Sequence, residues 1–184
     1  NLKINIGKKI LISGKKYDSS NLLKLLSKKS ESNLLKKFNK EIEIQIENLI
    51  TKSQIPLRDF NLIGNVEKGK FNKIFAKSEF TKNKYLDISL KKDLNNKKII
   101  EVYSDSPQAL LADYKFFEGI KNGTLLYNSA IDKSSSVSKL TIENFKVTKA
   151  PAFATLLTLA DLGGIADILS GQGMSFDILE INLE

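Results

Sequence analysis

The sequence has no cysteine, no histidine and no tryptophan, and Arg58 is its single arginine. Without cysteine there is no disulfide, thiol nucleophile or zinc ribbon. Without histidine there is no Ser-His-Asp triad and no imidazole base. Chemistry that needs only carboxylates stays open, so a carboxylate-dependent enzyme remains the least favoured alternative. These absences do not exclude an enzyme outright, but our expectation for this chain is a protein that is not an enzyme, with no catalytic residues, no metal and no cofactor.

The charge is strongly uneven along the chain. Lysine and arginine total 29 against 21 acidic residues, a formal net charge of +8. Residues 1–100 carry 23 − 10 = +13, and residues 101–184 carry 6 − 11 = −5. A basic half would suit a polyanion, but the lysine doublets are scattered and no aromatic side chains interleave with them. We favour solvated surface lysines over a polyanion site and expect no nucleic-acid partner.

Alternation with a period of two runs through most of the chain and predicts strands with one apolar face. Residues 41–48 read EIEIQIEN, with isoleucine and polar residues alternating. Turn signals at Ser13-Gly14, Gly64-Asn65, Lys68-Gly69, Asn95-Asn96 and Asn122-Gly123 separate the runs. Short spacing favours antiparallel neighbours. We expect a mainly β fold of eight to ten strands in a curved antiparallel sheet that forms an open apolar groove.

Three segments break this period and predict short helices on the sheet, near 18–38, 107–117 and 151–169. The first begins with N-cap residues at Asp18, and the second has Pro107 at a suitable first helical position. The third presents Phe153, Leu156, Leu157 and Ala160 on one helical face. Two aspartates and Gly163-Gly164 argue against a membrane span there. This groove helix is expected either to pack as core, which we favour, or to gate one end of the groove.

Both ends of the sequence alternate like strands, so we expect residues 1–184 to be a single segment of a longer β-groove. Residues 1–103 would supply strands and the first helix, and residues 104–184 a separate C-terminal motif. That motif consists of an apolar strand with Phe145 and Val147, Ala150-Pro151 leading into a helix, the Gly163-Gly164 break, LSGQGMSF at 169–176, and a last strand.

This motif resembles the AsmA-like family of Gram-negative envelope proteins, and is most similar to its YhdP-like branch. GKKYDSSNLLKLL at 14–26 and IPLRDFNLIGNVEKGKF at 55–71 are more loosely similar to upstream elements of that branch. The resemblance implies a bridge-like lipid-transfer protein that conducts phospholipid along an apolar β-groove towards the outer membrane. It also implies a place on the periplasmic side of the inner membrane, held by an anchor absent from this segment, and no catalytic residues.

The predicted partners are a phospholipid or other acyl lipid, the membrane through that anchor, and envelope proteins. The alternative function is an envelope scaffold or interaction module that affects outer-membrane assembly without carrying lipid. The predicted groove lining is Ile42, Ile44, Ile46, Phe60, Leu62, Ile74, Phe80, Leu86, Ile88, Leu90, Ile100 and Val102. For any one of these positions, burial in an ordinary core is at least as good an interpretation. As a set they exceed what three short helices can cover.

Overall fold

The computed structural model describes residues 2–20, 39–51, 55–112, 114, 117–132, 135–149 and 173–184. Ten strands form one sheet whose spatial order is the order of the chain, so β1 and β10 are its two edges and the sheet is open. The strands are β1 Leu2–Ile6, β2 Ile10–Asp18, β3 Lys40–Ile50, β4 Leu57–Glu67, β5 Lys70–Thr81, β6 Lys84–Lys92, β7 Lys98–Ser104, β8 Ile120–Ile131, β9 Ser136–Val147 and β10 Met174–Leu183. The predicted mainly β fold and the strand number are confirmed.

The prediction of a wholly antiparallel sheet is wrong at one place. β2 and β3 pair in parallel, with Ile10 beside Ile42 and Ile12 beside Ile44. A parallel pair needs a long connection that returns the chain to the same end of the sheet, and residues 19–39 supply one. Since β9 and β10 are also joined by a long connection yet pair antiparallel, connection length alone does not distinguish the two arrangements.

Two predicted turns are correct and three are wrong. Lys68-Gly69 and Asn95-Asn96 lie in turns between strands. Ser13-Gly14, Gly64-Asn65 and Asn122-Gly123 instead lie inside β2, β4 and β8. At Gly64 the reason is packing: a Cβ there would meet the Phe71 ring at 2.8 Å, so the glycine leaves room for an aromatic side chain above the strand.

Residues with positive φ inside the strands keep the apolar face continuous. Asn122 and Gly123 in β8 have φ of 60° and 80°, and Asn144 in β9 has φ of 51°. Ile142 and Phe145 are three residues apart, yet both are buried, because the intervening Asn144 switches the alternation. The same shift occurs in β8 between Ile120 and Leu125.

Two clusters of buried side chains lie at the end of the sheet covered by the short helix α1, Pro107–Leu111. Ala109 belongs to one cluster and Leu111 to the other, and Leu110 packs against both. The first cluster contains Leu57, Phe80, Leu86 and Ala109. The second contains Leu111, Ile120, Leu125, Ile142, Phe145, Val147 and Met174. The helix thus joins two parts of one core.

The helix prediction for 107–117 is only partly correct. Pro107 does occupy the first turn, but α1 ends at Leu111. Beyond it the hydrogen bonds from Tyr114 N to Leu111 O and from Phe117 N to Tyr114 O join residues three apart, which is turn rather than α-helical geometry. Within the described residues α1 is the one α-helix.

The other two predicted helices are largely outside the described residues. Asp18 ends β2, and its Oδ1 accepts a hydrogen bond from the Ser20 backbone nitrogen, so the described residues contain no helix at this point. Residues 21–38 and 150–172 are outside the described part, and so are Phe153, Leu156, Leu157 and Ala160.

Candidate functional site: an apolar sheet face

The strand registers place eleven of the twelve predicted lining residues on the same face of the sheet, which we call the inner face. The twelfth, Phe80, packs in the same buried cluster as Leu86. Side chains on this face form rows that run across the strands, because directly paired residues point to the same side. One row joins Ile42, Gly64, Ile74, Leu90 and Ile100. The next joins Ile44, Leu62, Ala76, Ile88 and Val102. Beyond it, Ile46 pairs with Phe60, and Leu86 pairs with Ser78.

The second of these, the middle row, is apolar from one edge of the sheet to the other. With about 4.8 Å between neighbouring strands, its ends lie roughly 43 Å apart along the sheet. From β1 to β10 it contains Ile4, Ile12, Ile44, Leu62, Ala76, Ile88, Val102, Tyr127, Leu140 and Ile181. An apolar path therefore crosses all ten strands without a charged side chain.

Most of the middle row is only half-buried. Ile4 is 56% exposed and Ala76 is fully buried, and the other eight side chains lie between these extremes. By contrast, Phe80 and Leu86 lie inside the first buried cluster beside α1. The inner face thus has a sealed zone next to the helix and a partly accessible zone along the middle row.

Among the apolar rows of the inner face, the serines and Tyr127 are hydrogen-bonded to one another or to the backbone. Ser129 and Ser138 are buried, and the hydroxyl of Ser138 donates to Ser129 Oγ at 2.9 Å. Tyr127 Oη donates to Ser138 Oγ at 3.2 Å. Ser78 Oγ donates to the Arg58 carbonyl at 2.7 Å. These groups satisfy each other, so they do not provide free ligands for a catalytic or metal site.

The opposite face, which we call the outer face, carries most of the charge. Cross-strand ion pairs there include Lys77 with Asp87 at 3.3 Å and Lys91 with Glu101 at 3.0 Å. Exposed apolar side chains interrupt this polar surface, including Ile63 at 62% exposure. The sheet is therefore amphipathic, although its outer face is less uniformly polar than simple alternation predicts.

The titratable groups with shifted pKa values point to surface structure. Hydrogen bonds from Lys91 and Ser89 lower the pKa of Glu101, and a hydrogen bond to Asp105 raises the pKa of Tyr103. Both residues are on the outer face, away from the apolar rows. Among the described residues no three acidic side chains converge on a metal-binding position, and none of the helices is long and apolar enough to cross a membrane.

Part of the middle row was not predicted from the sequence. Ile4, Ile12, Leu140 and Ile181 follow the same alternation as the predicted lining but were not included in it. The signal that identifies them is the register, which aligns their alternation with that of the central strands. Ala76 was missed because a small side chain contributes little to a hydropathy pattern.

Comparisons with known proteins add no further assignment. No family model, curated protein or solved structure matches this chain. The similarity to the AsmA-like family therefore rests on the residues given above and stays a prediction.

Proposed function

We propose that the inner face binds the acyl chains of lipids. In this proposal the protein is a periplasmic segment of an inner-membrane-anchored, AsmA-like protein of a Gram-negative bacterium, and it conducts phospholipid along an apolar β-groove towards the outer membrane. The observation that carries the proposal is the middle row, which is apolar across ten strands and mostly half-buried. The sequence resemblance supplies the cellular setting.

Acyl-chain chemistry suits such a surface. Each methylene group removed from water contributes about 0.8 kcal/mol, and this contribution has no directional requirement. A surface for a moving chain therefore needs continuity more than any particular side chain. Similar Ile, Leu and Val contacts along the row give neighbouring positions of comparable affinity, so that no position traps the lipid.

The open edges of the sheet fit the same proposal. β1 presents Leu2, Ile4 and Ile6 on the inner face, each exposed by 42% or more. A closed barrel or a second sheet would bury such a row, whereas an open sheet leaves it accessible to an apolar ligand. Under this proposal, lipid covers apolar surface that the described residues leave partly exposed.

A scaffold module without lipid is the second candidate. Exposed apolar side chains on the outer face, such as Ile63, Phe75 and Val137, favour it because they offer contact surface for a protein partner. The two candidates use opposite faces of the sheet, so substitutions on each face distinguish them.

The test is native mass spectrometry and lipid extraction of the purified protein. Ile44→Asp and Ile88→Asp place a carboxylate in the middle row, and Ile63→Asp is the matched control on the outer face. We expect lipid on the wild type and the control. We expect at least about tenfold less on both middle-row variants, because burying an unpaired carboxylate against an acyl chain is strongly unfavourable.

Circular dichroism and unfolding midpoints establish that each variant is folded. Unchanged lipid content in folded Ile44→Asp and Ile88→Asp proteins would overturn the proposal. A lipid-free wild type that captures an envelope protein, and loses it in Ile63→Asp, would establish the scaffold function instead.

A further inference from the structure

A row of lysines borders the apolar rows at the end of the strands opposite α1. Lys92 in β6 follows Leu90 by two residues, and Lys98 in β7 precedes Ile100 by two residues. Because side chains alternate, both lysines belong to the inner face. They pair directly across the two strands, about 7 Å along the strand from the nearest apolar row.

These lysines line a cleft of about 530 Å³ together with the β4–β5 hairpin. Its lining consists of Glu67, Lys68, Lys70, Phe71, Asn72, Lys92 and Lys98. Four ammonium groups against one carboxylate give the cleft a formal charge of 4 − 1 = +3. No ion pair within the described residues involves any of these four lysines.

Hydrogen bonding in the cleft is incomplete. Lys98 Nζ donates to the Phe71 carbonyl at 3.2 Å, so its ammonium group reaches over β6 towards β5. The buried Oδ1 of Asn72 has no hydrogen-bond partner. Because this oxygen is a hydrogen-bond acceptor, as phosphate oxygens are, it does not contribute to binding an anion.

A like-charged pair across two strands is unfavourable unless an anion offsets it. The pair by itself is not specific, because Lys121 and Lys146 face each other in the same way between β8 and β9 on the outer face. What distinguishes Lys92 and Lys98 is their position at the border of the apolar rows. An amphiphile with its acyl chain on those rows would place its head group beside these lysines.

We infer that the rim formed by Lys68, Lys70, Lys92 and Lys98 binds a phosphate group, that of an amphiphile whose acyl chain lies on the inner face. The inference rests on the proposed function, which it refines by naming the head-group chemistry. Ammonium groups bind phosphate oxygens through charge-assisted hydrogen bonds, and the cleft has room for several of them. Lysines act here as movable point charges, which suits a head group that must also leave.

The test compares two fluorescent probes that differ only in the phosphate. NBD-labelled phosphatidic acid carries it and NBD-labelled diacylglycerol lacks it, and binding is measured by fluorescence titration of the intact chain. The variant is Lys92→Gln with Lys98→Gln, and the matched control is Lys121→Gln with Lys146→Gln. Both double variants remove the same charge from one cross-strand pair, and their unfolding midpoints are compared with the wild type.

We expect the rim variant to bind phosphatidic acid about tenfold more weakly, with diacylglycerol binding and the control variant unchanged. Equal weakening in both double variants would overturn the inference, since net charge alone would then explain it. Unchanged binding in the rim variant would also overturn it. If the wild type binds both probes equally, the inference fails while the proposed function stands; if it binds neither, the proposed function fails.

An excess of inorganic phosphate identifies the source of the phosphate group. If inorganic phosphate displaces phosphatidic acid but not diacylglycerol, and binds much more weakly than phosphatidic acid does, the rim binds the phosphate of a lipid head group. Inorganic phosphate that binds the rim as tightly as phosphatidic acid would overturn the assignment to an amphiphile and indicate a free-phosphate site.

Discussion

Truncating isoleucines at three depths tests whether the inner face has a sealed and an accessible zone. Ile142 is 0% exposed in the second buried cluster, Ile44 is half-buried in the middle row, and Ile63 is 62% exposed on the outer face. Replacing each by alanine removes the same atoms. Differences in the free energy of unfolding therefore report how completely each side chain is packed.

The expected magnitudes follow from burial. Truncation of a fully buried isoleucine removes its transfer free energy and leaves a cavity, so Ile142→Ala is expected to lose about 2–5 kcal/mol. Ile63 has only about two-fifths of its surface covered, so Ile63→Ala is expected to lose less than about 1 kcal/mol. Ile44→Ala is expected to fall between them, at about 1–2 kcal/mol.

Urea unfolding followed by circular dichroism measures these losses. With a slope of about 2 kcal/mol per molar urea, the Ile142→Ala midpoint should fall by about 1–2.5 M and that of Ile63→Ala by less than about 0.5 M. Lipid-free protein must be used, because bound ligand would add its own stabilisation. Equal shifts at positions 142 and 44 would refute the division of the inner face into two zones.

Two further predictions concern the backbone and the outer face. Gly123→Ala should lower the free energy of unfolding by about 1–3 kcal/mol, because φ is +80° and the new Cβ would collide with the Glu143 carbonyl oxygen. Asn122→Gly, also at positive φ, should not lower it, and equal losses for the two variants in a urea titration would contradict this reasoning. Glu101→Gln should lose up to about 1 kcal/mol at neutral pH, because the carboxylate is paired with Lys91 on an exposed surface. The pKa of Glu101 is lowered on folding, so its ionised carboxylate stabilises the fold above the ordinary pKa of 4.5, and this stabilisation is lost as the pH falls below that value. If the difference in unfolding free energy between wild type and Glu101→Gln stays constant with pH, the ion pair does not contribute.

Local alternation predicts the strands well because it reflects which face of a strand meets water. The EIEIQIEN run became β3 with Ile42, Ile44 and Ile46 on one side, as expected. The same reasoning failed at Gly64-Asn65, where the glycine makes room for the Phe71 ring, and at Asn122-Gly123, where both residues have positive φ within a strand. A residue with positive φ marks a turn or a switch of face, and local sequence does not distinguish the two.

The lysine rim was missed for a related reason. Lysine doublets are frequent and scattered in this sequence, and although alternation puts Lys98 on the same side as Ile100, nothing local shows that it lies beside Lys92. Its position beside Lys92 and its contact with the Phe71 carbonyl follow from strand pairing. Only the register shows which lysines lie side by side at the border of the apolar rows.

The sequence by itself determined that this protein is built from strands with one apolar side, since burying the apolar side chains at every second position is favourable. Tertiary structure decided how those strands join: which pair is parallel, where positive-φ residues restore the face, and how ten separate alternations align into one row. The physical reason is the separation along the chain of the residues that interact. Alternation depends on residues two positions apart, whereas a row across the sheet depends on hydrogen bonds between residues distant in the chain.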